Sequence, residues 1–185
     1  MRQRRSPKAR SLIVAPLVVA SVLLSSCSSW APSAQPLRLP SRAAIESRAE
    51  TLGFCENLAA VGEVQALARQ RSTGIGTVRD WKINYQSWAD QYWAEAAYVR
   101  AAAAKSPDVA YVPDLDSLAQ AEQGVASAAG AIATTLRAQT GGNLSATLSA
   151  IGGPHGASYA RSLAEVGVRY RHLPAGLFEA CGLHP

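Results

Sequence analysis

A capping box followed by a run of good helix formers constrains this chain most strongly. Thr77-Val78-Arg79-Asp80 puts a threonine where its side chain caps a helix, and an acid three residues on where it reaches back to the cap. From there to about Lys105 the residues favour helix, and Ser106-Pro107 stops it. Within that run Trp81, Tyr85, Trp88 and Tyr92 step by four, three and four, the spacing of one helical face. The rest of the chain is punctuated in the same way. A first helix is expected over roughly 42–71, with Phe54, Leu58, Val61, Val64 and Ala68 on one face and Gly53 and Gly62 weakening its continuity. After "SPDVAYVPDLDS", read as a loop, Asp114 or Asp116 is expected to cap a third helix ending at Gly141-Gly142. Leu115, Leu118, Val125, Ala129, Ile132 and Leu136 keep its three-four spacing. Asn143 is expected to cap a short fourth helix ending at Gly152-Gly153, and a fifth over about 157–172 presents Tyr159, Leu163, Val166 and Tyr170. No stretch alternates β-branched residues as a half-buried strand would. The expected fold is all-α: an antiparallel bundle of four to five helices with short Gly/Pro turns.

The N-terminus carries a different kind of signal. "MRQRRSPKAR" is basic with no acid, "SLIVAPLVVASVLL" is apolar, and small polar residues then lead to Cys27. That order is the order of a secretory signal, and the apolar run is shorter than the ~20 residues that span a bilayer. Leu24-Ser25-Ser26-Cys27 resembles the lipobox of bacterial lipoproteins: an aliphatic residue, two small ones, then the cysteine that receives lipid. The resemblance covers residues 1–27 only. It implies a diacylglyceryl group on the Cys27 thiol and cleavage just before it. Two acyl chains anchor stably where one does not, so the implied location is the extracytoplasmic face of the bacterial cell membrane. The expected organisation is a cleaved signal peptide at 1–26, a lipidated cysteine and flexible Ser/Pro/Ala tether at 27–40, and one helical domain at 41–185.

Processing changes the meaning of the composition. The whole chain is basic, with a net charge of +5. Five of its 18 Lys and Arg residues precede Cys27 and none of its 13 acids does, so beyond it 13 bases face 13 acids. Nucleic-acid binding needs surplus positive charge against phosphate, and no nucleic-acid partner is expected. With Cys27 taken by lipid, Cys55 and Cys181 remain as an even pair in an oxidising compartment. A disulfide between them is expected, closing a long loop at up to ~4–5 kcal/mol in the chain-entropy model.

Several candidate sites were weighed against simpler packing roles. The stripe Trp81, Tyr85, Trp88, Tyr92 serves as core if it packs on the small-residue face "ASAAGAIA" of the third helix. It serves as a binding surface if it lines a groove for a small apolar or aromatic ligand. Trp93 lies off the stripe. "GGPHGAS" reads as a helix–helix turn, since no serine with an oriented base stands in it. Asp108, Asp114 and Asp116 lack the calcium-loop pattern, and Tyr170 and His172 point apart on a helix, against joint haem ligation. Gly74-Ile75-Gly76 lacks the third glycine of a dinucleotide fingerprint. No metal or cofactor is expected. Glu122 interrupts the apolar spacing of the third helix and is expected at the edge of its buried face. These readings lead to a non-enzymatic, lipid-anchored module that binds an envelope protein, with a carrier or sensor of a small apolar ligand as the alternative.

Overall fold

The computed structural model describes residues 33–138 and 144–183. Cys27, the start of the tether, Gly141-Gly142 and Asn143 lie outside the described residues. Among those described, every regular element is helical: α1 (Arg42–Thr51), α2 (Phe54–Gln70), α3 (Val78–Ala104), a 3-10 turn at Val109–Tyr111, α4 (Val112–Ala138), α5 (Leu144–Gly152), α6 (Pro154–His172) and α7 (Ala175–Glu179). No described helix is long and apolar enough to cross a membrane.

The helix expected over 42–71 is two helices. Leu52 leaves helical geometry, and the Gly53 amide donates to Glu56 Oε2 at 2.7 Å to start α2. The last carbonyls of a helix need partners from elsewhere, and two side chains supply them. The buried Asn57 Nδ2 lies 3.2 Å from the Ala49 carbonyl, 3.1 Å from that of Leu52 and 2.9 Å from that of Gly53. Lys105 Nζ donates to the carbonyls of Ala49 (3.1 Å), Glu50 (2.5 Å) and Leu52, setting its positive charge at the negative end of α1.

The start of α3 is as the capping box predicts. Thr77 Oγ1 accepts from the Asp80 amide at 3.1 Å, and the Thr77 amide donates to Asp80 Oδ2 at 3.0 Å. Asp80 also holds residues 33–40, expected to be free tether. Its Oδ1 accepts from the amide of buried Ala34 at 2.8 Å. The Gln35 amide donates to the Ser72 carbonyl, and that of Leu37 to Ser87 Oγ, both at 3.0 Å. Composition predicts a segment unable to order itself, and here the partners come from α3 and the loop before it.

Helix α4 begins two residues before Asp114. Asp108 Oδ1 caps the 3-10 turn through the Ala110 amide at 2.8 Å. Pro113 stands in the first turn of α4, where its missing N–H costs nothing. Asp114 therefore favours the helix dipole from within the first turn instead of capping it. Arg137, near the end of α4, donates to Gln86 Oε1, near the start of α3, at 2.9 Å. Small residues bring the next layer close: a Cβ on Gly124 of α4 would lie 3.0 Å from Ser162 Oγ of α6. The α5–α6 corner is tighter still, since a Cβ on Gly156 would fall 1.5 Å from the Ile151 carbonyl oxygen.

At the other end, Cys55 in the first turn of α2 is joined to Cys181, with Cα atoms 5.2 Å apart and a separation of 126 positions in sequence. The expected disulfide thus fastens the C-terminal segment. Leu177 of α7 is fully buried against the same core, and Phe178, Cys181 and Leu183 pack around it.

Candidate functional site

The aromatic stripe divides. Tyr85 is buried against Ala129, Ile132, Ala133 and Leu136 of α4, with half-buried Trp81 stacked on it at 6.3 Å. The small face of α4 receives this half as core packing requires. Trp88 and Tyr92, one and two steps further on, are half-buried and border a cleft of about 560 Å³. One wall is α2, through Gln65 and Arg69; the other is α6, through Tyr159, Leu163 and Tyr170. Tyr159 stacks on Trp88 with ring centroids 6.0 Å apart and meets the edge of Tyr85 at 5.5 Å. Arg71 lies 5.8 Å from the Trp88 ring. Trp93, off the stripe, is packed against the core near α1 under the guanidinium of Arg42, 4.7 Å away.

Two carboxyl groups close the floor. Glu95 lines the cleft and is 1 % exposed; Glu122 of α4 is fully buried. Glu122 therefore stands inside the core, not at the edge of the buried face as its spacing implied. The acids are treated differently by their neighbours. Glu95 Oε1 accepts from Gln91 Nε2 at 2.8 Å, and Oε2 from Gln65 Nε2 at 3.1 Å. Glu122 Oε1 accepts only the Tyr170 hydroxyl, at 3.2 Å, and its Oε2 is buried without a partner. The Tyr170 oxygen in turn accepts from Gln65 Nε2 at 3.1 Å.

Burial raises the pKa of both acids, Glu122 well above the usual carboxylate range. For Glu95, the two amide donors and the positive charge of Arg69 work against that rise. For Glu122, the negative charge of Glu95 adds to it. Burial favours the protonated form of Glu122 more than that of Glu95, whose two amide donors favour its charged form. Burial and the same two acids raise the Tyr92 hydroxyl to about 12 and hold the Tyr170 hydroxyl in its protonated form.

Chemically this is a recess with aromatic walls and a buried carboxyl group at its floor. Among the described residues no three His, Cys, Asp or Glu side chains gather as a metal ion would need. His155 is exposed in the first turn of α6, apart from the cleft lining. Sequence reasoning singled out Trp88 and Tyr92 and placed Tyr159 and Tyr170 on one face, but missed Glu95, Gln65 and Gln91. A signal for Glu95 was present: it is the next step, three residues past Tyr92, along the stripe itself. No protein-family model, curated protein or solved structure matches this chain.

Proposed function

We propose that this chain is a bacterial envelope lipoprotein, held at the extracytoplasmic face of the cell membrane by a diacylglyceryl group on Cys27. Its helical domain, an antiparallel bundle, is a non-enzymatic binding module that carries or senses a small ligand with an apolar or aromatic body. The signal sequence and lipobox support the anchor. One observation carries the ligand reading: Trp88, Tyr92 and Tyr159 offer ring surface to a 560 Å³ cleft, while Tyr85 on the same stripe is packed shut. Sites for small molecules are of this size and lining, with few polar groups fixing orientation. The protein-partner reading has less behind it. Among the described residues the exposed large apolar side chains, Leu67, Ile75, Val109, Leu148 and Leu163, stand on five different segments.

Tryptophan emission of the full chain, titrated with 2-phenylethanol and with extracted envelope lipids, tests the cleft. A quench or shift that Trp88→Phe removes is expected. No change with either probe overturns the ligand reading. Intact mass of the membrane-extracted protein tests the anchor; a chain beginning at Cys27 without added lipid mass refutes it.

A further inference from the structure

The floor of the cleft carries a buried carboxyl group, Glu95, that no ion pair meets. Among the described residues the ion pairs are Arg42–Asp90, Arg48–Glu63 and Arg169–Glu165, and none involves Glu95 or Glu122. Buried charges are ordinarily paired, because removing one from water is costly. Glu95 is instead met only by N–H groups of two neutral amides, Gln65 from α2 and Gln91 from its own helix. Each carboxylate oxygen has lone pairs beyond the one bond it accepts. Arg69, the nearest basic group lining the cleft, is solvent-exposed on the rim and forms no ion pair with it. Behind Glu95 stands Glu122, whose second oxygen is buried and unpartnered, and Tyr170, whose hydroxyl is spent on Glu122. Trp88, Tyr92 and Tyr159 line the same cleft, Trp88 and Tyr159 stacked on each other and Arg71 5.8 Å from the Trp88 ring; aromatic faces attract cations.

We propose that the cleft takes a small organic cation, a protonated amine on an apolar or aromatic body, with Glu95 as its counter-charge and Trp88, Tyr92 and Tyr159 as its walls. This rests on the ligand reading above and adds the ligand's charge. The two glutamine amides occupy the positions that the ligand's N–H donors take over or share. A metal ion fits the floor less well, because those amide groups and the Tyr170 hydroxyl face the acids as hydrogen-bond donors and not as metal-binding oxygens. An anionic ligand held by Arg69 would bring a negative group toward the Glu95 carboxyl.

Calorimetric titration of the full chain with three isosteric probes, 2-phenylethylamine, 2-phenylethanol and 3-phenylpropanoate, decides it. The amine is expected to bind at least about tenfold tighter than the alcohol, the scale of one charge-assisted contact, and the acid weakest. Glu95→Gln should abolish that preference, and an unchanged circular dichroism spectrum shows that the variant is folded. Glu122→Gln should keep the preference. Amine affinity should fall on acidification as Glu95 takes a proton, and alcohol affinity should not. Equal binding of amine and alcohol, or tightest binding of the acid, overturns the charge assignment and leaves the cleft standing. Loss of the preference in Glu122→Gln but not in Glu95→Gln overturns the choice of counter-charge. Failure of all three probes to bind overturns the ligand reading and this inference together.

Discussion

The two halves of the aromatic stripe occupy one face of one helix, yet they meet opposite surroundings. Around Tyr85, α4 offers Ala129, Ile132 and Ala133, and the rings of Trp88 and Tyr159 meet it at their edges, leaving it buried. Around Trp88 and Tyr92, α2 and α6 flank a gap instead of filling it, and α4 offers Glu122 below. The first half follows the rule that small faces admit large partners. The second gives up packing and places acids where a hydrophobe would stabilise more. That exchange is what makes the second half the candidate site under the proposed function, since local departures from good packing gather where function is.

The strongest way to break this contrast is to truncate one ring from each half. Tyr85→Ala should cost about 3–5 kcal/mol in urea unfolding, a buried aromatic lost from a closed core. Trp88→Ala should cost only about 1–2 kcal/mol yet abolish probe binding. Equal costs would mean that the whole stripe is core.

Next comes the disulfide, which ties the start of α2, one wall of the cleft, to the C-terminal segment. Replacing both Cys55 and Cys181 by alanine should lower stability by about 2–5 kcal/mol. Hydrogen exchange should then speed up in α2 and α7 more than around Tyr85. Uniform acceleration would show that the two halves unfold as one.

A smaller effect sharpens the account of the acids. Glu122→Gln removes the burial cost of an acid and should raise stability by about 1–3 kcal/mol at neutral pH. Glu122 has a folded pKa raised above its unfolded value, so its contribution is full below the unfolded pKa and is lost as pH rises through the folded one. The gain should therefore shrink toward acid pH, and a gain independent of pH would refute the protonated assignment. Asp80 runs the opposite way. The Ala34 amide, then Thr77, hold its carboxyl below the usual value against a smaller opposing effect of burial. Its contribution is present above the unfolded pKa and is lost as pH falls through the folded one. Asp80→Asn should cost about 1 kcal/mol at neutral pH and nothing once the carboxylate is protonated, read from paired melts.

Much of the helical order could be read from local chemistry. Thr77 and Asp80 are three residues apart, so a cap is visible in sequence, and the stripe after it needs only helical periodicity. The break at Leu52-Gly53 was less legible because it depends on Asn57 and on Lys105, which arrives from the far end of α3. The start of α4 was misplaced because two acids competed for the role of cap while Asp108, in the stretch read as loop, had taken it for the preceding turn. The site was half legible. Trp88 and Tyr92 announce a face, but whether a face is covered is decided by its neighbours. The floor joins Gln65 to Tyr170, 105 residues apart, and Tyr170 to Glu122, 48 apart. No spacing rule reaches that far. Glu122 shows the same limit: its position on the helix was right, and its depth was set by α3 and α6 together.

The Asp80 carboxylate also has a mechanical consequence. One oxygen starts α3 and the other grips the chain at Ala34, so both attachments pass through a single side chain. Tension applied from the N-terminal side enters the domain there, at the first turn of α3, whose 27 residues are matched in length only by α4 among the described helices. Releasing Ala34 and fraying that first turn are then coupled through one carboxylate, and acid weakens both.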